Sequence, residues 1–278
     1  MNVPRIPIEQ WIDQGIAFLQ VNFSDAFHGF TVAMRTFIHG FQDALYFIPP
    51  WLMILLLVGV AWYVCGYKMA IFTGLGFGLI WNLDLWQASM QTLSMVLTAV
   101  FICIVIGVPL GILAAKNRVA HRIITPILDF MQTLPAFVYL LPAVSFFHLG
   151  VVPAVIATLI FAVPPIIRLT ILSISQVPVE LVELSESFGS TFMQKLIKVE
   201  LPLARRTIMA GVNQCIMLAL SMVVISAMIG ARGLGGEVWR SIQRMEIGAG
   251  FEAGLAIVVI AIFLDRITQS LTHGKNKK

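Results

Sequence analysis

Several uninterrupted apolar runs, each about as long as a lipid bilayer is thick, dominate this sequence. A helix rises 1.5 Å per residue, so about 20 apolar residues cross a hydrocarbon core of about 30 Å. With 59% hydrophobic and only 12% charged residues, the chain is far more apolar than a typical soluble domain. The runs therefore predict an all-α integral membrane protein.

Polar, glycine and proline residues divide the runs into about seven predicted transmembrane helices. The predicted spans are residues 47–66, 69–83, 90–115, 128–147, 150–173, 207–229 and 250–268. Gly107 and Gly111, in the third span, have the spacing that lets two membrane helices approach closely. We interpret residues 46–278 as one transmembrane domain.

Residues 1–45 precede the first span and follow a different pattern. Apolar side chains recur there every three or four residues, which is typical of an amphipathic helix. These side chains are Phe27, Phe30, Met34, Phe37, Phe41 and Leu45. An N-terminal helix of this kind lies in the outer membrane interface or packs as an arm on the helix bundle, and the sequence leaves both arrangements open.

The basic residues predict the orientation of the chain. Membrane proteins carry an excess of Lys and Arg in their cytoplasmic loops. With the N-terminus outside and the C-terminus inside, most basic residues lie inside, and those left outside are Arg5, Arg35, Arg232, Arg240 and Arg244. Because the basic residues lie between spans rather than on a soluble face, the net charge of +4 does not indicate a nucleic-acid partner.

One polar interval, ELSESFGSTFMQKLIKVELP at residues 183–202, stands on the predicted inner side. Pro178, just before it, suits the start of a helix, and Gly189 suits a left-handed helix end. The sequence TFMQ at 191–194 has the form of a capping box that starts a second helix, which we expect to end shortly before Pro202. The interval thus predicts a helix, a glycine turn and a second helix.

The same interval carries an apolar row with a spacing of four residues. The row consists of Leu184, Phe188, Phe192 and Leu196. Apolar side chains of this size are poorly placed in a loop that faces water, and a contiguous group of them marks an interaction surface. The row therefore predicts a partner at the inner face.

The interval resembles the cytoplasmic loop of permease subunits of ATP-binding-cassette importers. The family pattern is Glu-Ala-Ala, three residues, Gly, nine residues, Ile, one residue, Leu-Pro. The residues that stand at those spacings, with Val for Ile, are Glu183, Gly189, Val199, Leu201 and Pro202. Leu184 and Ser185 replace the two alanines. Longer segments from Thr125 and from Asn213 are similar to the glycine betaine/proline betaine class of these permeases.

The resemblance implies a type I ABC importer permease fold in a bacterial cytoplasmic membrane. It implies that the cytoplasmic loop, here residues 174–206, couples to an ATPase subunit through Glu183, Leu184, Ser185, Glu186, Ser187, Phe188, Gly189, Leu201 and Pro202. The implied partners are two ATP-binding subunits that hold ATP and Mg, a second permease copy in a homodimer, and an extracytoplasmic solute-binding protein. The implied function is import of glycine betaine or related compatible solutes by alternating access.

The chain carries no motif for chemistry of its own. It has neither the Gly-x-x-x-x-Gly-Lys-Ser/Thr phosphate loop nor the His-Glu-x-x-His zinc motif, so we expect no nucleotide site, no metal site and no enzymatic activity in this chain. Asp129, Glu252 and Asp265 lie near predicted span ends. Carriers driven by ion gradients tend to place such residues at mid-membrane. An ion-coupled carrier or channel acting without an ATPase remains the alternative hypothesis.

Three further groups of residues are candidates for binding. Asn213 and Gln214 lie inside the sixth span, where they form hydrogen bonds between helices or line a translocation path. Four aromatic side chains suit a quaternary ammonium solute through their ring faces, or else face lipid or pack in the bundle: Phe137, Tyr139, Phe146 and Phe147. The predicted outside loop that begins at Gly230 is a flexible connector or a docking site for an acidic receptor surface. Its candidate docking residues are Arg232, Trp239, Arg240 and Arg244.

Overall fold

The computed structural model describes residues 7–273, which fold into helices joined by short turns. No strand occurs in that range, and the prediction of an all-α protein is confirmed. A 3₁₀ turn (Ala136–Tyr139) lies between α6 and α7, and a π turn (Leu196–Glu200) lies between α10 and α11. The helices are α1 (Ile8–Asn22), α2 (Ser24–Phe47), α3 (Pro50–Cys65), α4 (Tyr67–Asn82), α5 (Trp86–Lys116), α6 (Arg118–Thr133), α7 (Leu140–Phe147), α8 (Val151–Ser175), α9 (Val179–Ser187), α10 (Phe192–Lys195), α11 (Leu201–Ala227), α12 (Leu234–Arg244) and α13 (Ile247–His273).

Helices α1 and α2 form an arm that contacts the bundle. The Gln20 amide donates to the Ser145 carbonyl at 2.7 Å, and Phe27 stacks on Phe146 with ring centroids 4.8 Å apart. Ile38 is buried, whereas Phe37 stays half-exposed on the same helix. The arm thus packs on several helices of the bundle and keeps an apolar strip exposed. Residues 1–6 of the predicted N-terminal extension lie outside the described residues.

Four helices of the described chain are long and apolar enough to cross a membrane by themselves. They are α5, α8, the continuous helix Phe192–Ala227, and α13. Two bent pairs raise the number to six: α2 with α3, bent by 97°, and α6 with the turn and helix at Ala136–Phe147, bent by 108°. The predicted span 69–83 corresponds to α4, which has 16 residues.

The predicted span 128–147 is interrupted, so its prediction as one helix was wrong. Helix α6 ends at Thr133, and the chain bends at Leu134 and Pro135 before the 3₁₀ turn. Pro135 has no N–H to donate and disfavours helical geometry at the residue before it, and Leu134 is accordingly extended (φ −70°, ψ 135°). Asp129, expected near a helix start, therefore lies in the last turns of α6.

Close backbone contacts hold the central helices α5, α8 and α11 together. A side-chain carbon added at Gly111 of α5 would lie 2.5 Å from Cβ of Thr170 in α8, and one at Gly107 would lie 2.8 Å from Cγ2 of Ile166. One at Gly211 of α11 would lie 3.1 Å from the Ile166 Cα. In lipid, where apolar burial drives little association, such close packing stabilises a helix bundle. Near the polar interval, the ends of these helices also meet, in a cluster that joins Ile112 of α5, Ile174 of α8 and Ala204 of α11.

Candidate functional site

The first half of the polar interval folds as the sequence predicts. Helix α9 follows Pro178 and ends at a turn in which Gly189 is left-handed, with φ +73°. The Gly189 N–H donates to the Glu186 carbonyl at 2.8 Å, and the Ser190 N–H donates to the Ser185 carbonyl at 3.1 Å. These bonds satisfy carbonyls at the end of α9 and fix the direction in which the chain leaves it.

The second half starts as predicted but does not end as predicted. The Thr191 N–H donates to Gln194 Oε1 at 2.9 Å, and the Gln194 N–H donates to Thr191 Oγ1 at 3.4 Å, which completes the capping box. The helix then continues to Ala227, so the expected end before Pro202 was wrong. The π turn widens the helix just before Pro202, which accommodates its ring and its missing N–H. The second helix and the following span are consequently one rod.

The helix-turn-helix presents an uncovered apolar surface. Leu184, Phe188 and Phe192 are exposed, Phe188 by 82%. Leu196 was expected in the same row but is buried, because its position on the rod faces the bundle, where it packs in a small cluster with Ile174. The exposed part of the row is therefore shorter than predicted and centres on the glycine turn.

Side-chain contacts brace this element internally. The Lys195 ammonium donates to a Glu186 carboxylate oxygen across the glycine turn and so joins α10 to α9. This hydrogen bond and the charge of Lys195 hold the pKa of Glu186 below its usual value. Ser185 is buried, and its hydroxyl donates to the Val182 carbonyl at 2.7 Å. A small residue fits at this position, whereas the neighbouring Leu184 is exposed and has room for its bulk.

Sequence reasoning missed the ion pair between Lys116 and Glu200. The Lys116 Nζ, at the end of α5, lies 2.6 Å from Oε1 of Glu200 in the π turn, and Glu200 is 1% exposed. A signal was present: Leu196, Ala204 and Ile208 follow one face at intervals of four, and Glu200 is the charged residue among them. Because a buried charge needs a partner, that position could have been singled out.

The candidate path residues occupy different surroundings. Asn213 Nδ2 of α11 donates to Asp265 Oδ1 of α13 at 2.7 Å, so this amide joins two helices. Gln214, the next residue, is exposed in the middle of the same helix. Tyr139 is buried and its hydroxyl donates to the Met131 carbonyl, whereas Phe137 is half-exposed. Phe146 and Phe147 pack against the arm, with Phe27 as a shared neighbour.

Two of the three acidic residues expected near span ends have partners on other helices. Arg168 of α8 donates to Asp129 of α6. Asp265 accepts from Asn213 and also from Gln269 Nε2, at 2.7 Å in each case. Glu252 is exposed near the start of α13. The first two carboxylates thus contribute to helix–helix contacts.

The outer candidate residues gather around helix α12. Arg232, Trp239 and Arg240 line one cavity of about 810 Å³, together with residues at the start of α5. Arg240 Nη1 also donates to Glu237 Oε2 at 3.0 Å. Arg244 is exposed in the last turn of α12. The structure therefore brings three of the four predicted docking residues to one cavity.

The described chain is a bundle of apolar helices that carries a braced helix-turn-helix with an exposed apolar surface. The model of the family described as binding-protein-dependent transport system inner membrane component matches residues 107–275. The chain belongs to this family, which confirms the resemblance on which the sequence analysis relied.

Named relatives match over nearly the whole chain. The glycine betaine transport system permease protein OpuAB of Bacillus subtilis is 51% identical over 99% of this chain and 98% of its own length. The glycine betaine/carnitine transport permease protein GbuB of Listeria monocytogenes is 52% identical over 100% of this chain and 98% of its own length. An inward-facing structure of the MetNI methionine ABC transporter shares the fold, with a TM-score of 0.60 and 21% identity over 66% of this chain and 92% of that chain.

Proposed function

We propose that this protein is the transmembrane subunit of an ATP-driven importer that moves glycine betaine or a related compatible solute into the cell. The observation that carries the proposal is the braced helix-turn-helix, whose surface of Leu184, Phe188 and Phe192 is left exposed by the described part of the chain. The relatives that match nearly the whole chain are named as glycine betaine permeases, which supports the choice of solute.

The helix-turn-helix is the proposed contact with the ATPase subunits. The coupling residues are those of α9 and its turn, Glu183 to Gly189, with Leu201 and Pro202 at the start of α11. The ATPase subunits bind ATP and Mg, and this chain receives their movement as a shift of the short helices. Because Phe192–Ala227 is one continuous helix, a rigid-body shift at the turn would reach the centre of the membrane directly.

A second copy of this chain is the proposed partner within the membrane. Gln214 is exposed in the middle of α11, and an amide that faces lipid is costly, so a facing helix or a water-filled path would cover it. We place Gln214 and the exposed face of Phe137 on the translocation path between the two copies. Asn213 would position α13 through Asp265, and Tyr139 would hold the 3₁₀ turn beside Phe137.

The outer cavity at α12 is the proposed docking place for the extracytoplasmic solute-binding protein. Arg232 and Arg240 would face acidic groups of that receptor, with Trp239 beside them and Arg244 at the rim. With it we propose that the N-terminus lies outside and the C-terminus inside a bacterial cytoplasmic membrane. It agrees with the basic residues at the inner ends of the helices, such as Lys116 and Arg266.

Co-purification tests the proposed function directly. A tagged copy of this chain, expressed in its native organism and extracted in mild detergent, should retain an ATP-binding subunit at one copy per permease. An ion-coupled carrier would instead purify without an ATPase, and the chain alone in liposomes would transport solute when an ion gradient is applied. The second result would contradict the proposal.

A further inference from the structure

Two contacts fasten the helix-turn-helix to the inner end of α5. The first is apolar: Leu196 is buried in a cluster that includes Ile112 and Ala115 of α5. The second is the ion pair between Lys116 and Glu200. On the helix-turn-helix side both contacts come from the π turn, Leu196–Glu200. The π turn is therefore a place where the rod contacts the end of α5.

The ion pair is not an ordinary surface salt bridge. Glu200 is 1% exposed, whereas the Lys116 side chain is 30% exposed and reaches water. Oε2 of Glu200 is buried and has no hydrogen-bond partner among the described residues. Lys116 is thus the cation that compensates a buried carboxylate. Because breaking such a pair would leave a buried charge uncompensated, separating the two residues is costly.

Lys116 also acts on the first short helix. Its charge contributes to the lowered pKa of Glu186, after the larger effect of Lys195. One ammonium at the end of α5 therefore lies within electrostatic reach of α9 and in direct contact with the π turn. Helix α5 packs closely on α8 at Gly107 and Gly111, so its displacement changes the core of the bundle.

We propose that Lys116 and Glu200 form a strut that transmits movement of the helix-turn-helix to α5. Chain continuity alone carries such a movement into α11, and the strut adds a second central helix, so that α5 and α11 shift as one body. The two residues are positioning residues, since they act through the helices that they join. This inference rests on the proposed function and assigns the ion pair a part in it.

The test uses the complete importer in proteoliposomes, with its ATPase, its receptor and glycine betaine. Glu200→Gln removes the buried charge at constant shape, and the double variant Lys116→Met with Glu200→Gln removes both charges and leaves none unpaired. Both variants should assemble and unfold at the wild-type temperature. Solute imported per ATP hydrolysed should fall at least about fivefold, the lower end of typical coupling between sites. The matched controls Lys68→Met and Glu252→Gln, at exposed positions, should keep the wild-type ratio.

A purely structural ion pair would give a different result. The double variant, once assembled, would then import as much solute per ATP as the controls, and that outcome would overturn the strut. If the wild-type chain imports solute without any ATPase, the proposed function itself fails, which is a separate result. A second measurement needs no variant: nucleotide binding should change hydrogen exchange at 108–116 and at 192–200 together. A response at 192–200 alone would also overturn the strut.

Discussion

At the scale of single residues, Gly189 decides the shape of the proposed coupling element. Its φ of +73° lies in the left-handed region, which costs residues with a side chain about 1–2 kcal/mol. No neighbouring atom would contact an added side-chain carbon within 4 Å. The requirement for glycine is therefore conformational, because backbone geometry rather than space restricts this position.

Gly189→Val should consequently change the angle between α9 and α10 without unfolding the bundle. A penalty of this size lowers the population of the left-handed turn conformation about tenfold, and we expect solute uptake to fall by about that factor. Uptake in cells that express the variant at the wild-type level measures the effect. Gly59→Val, also at a glycine with no atom near the added carbon, serves as the control. Equal uptake by both variants would contradict the proposed role of Gly189 in coupling.

At the scale of elements, local signals predicted the helix-turn-helix and long-range contacts decided the rest. The glycine turn and the capping box depend on residues within a few positions of each other, so Gly189 and Thr191 could be interpreted from the sequence. The buried state of Leu196 depends on α5 and α8. Lys116 and Glu200 lie 84 positions apart, and no local pattern pairs them. The break at Pro135 was visible as a proline, but proline also occurs inside spans here, as at Pro109.

The exposed apolar surface of the helix-turn-helix should contribute directly to ATPase binding. Phe188→Ser removes an aromatic side chain that is 82% exposed in this chain, so the fold of the permease should be unaffected. Burying such a side chain in a partner is worth about 1.5–3 kcal/mol, and its loss should weaken ATPase binding about tenfold or more. Binding of purified ATPase to the permease in nanodiscs gives the value. Phe47→Ser, at an equally exposed site at the end of α2, should bind as the wild type does.

At the scale of the whole molecule, the two ends of the bundle differ in charge and in the elements that they present. The end with the helix-turn-helix has the excess of basic residues, and the opposite end has the arm and the cavity at α12. The central helices α5, α8 and α11 connect the two ends. An importer needs this polarity, because its receptor and its ATPase act on opposite sides of the membrane.

Thiol labelling measures the orientation. In intact cells, a membrane-impermeant maleimide should label a Gln243→Cys variant in α12. It should label a Ser190→Cys variant, in the glycine turn, only after the membrane is opened. Both positions are at helix surfaces or turns. The native Cys103 and Cys215 are buried, and the partly exposed Cys65 is replaced by Ser in both variants, so the background is low. The reverse labelling pattern would show that the chain has the opposite orientation in the membrane.

The central claim is that this chain imports solute only when ATPase subunits drive it. The most direct measurement is uptake of radiolabelled glycine betaine into proteoliposomes that contain the purified permease, with the ATPase and the receptor added or omitted. We predict accumulation that requires both added proteins and ATP and that stays at background for the permease alone, with or without an ion gradient. Accumulation by the permease alone, driven by a sodium or proton gradient, would contradict the account.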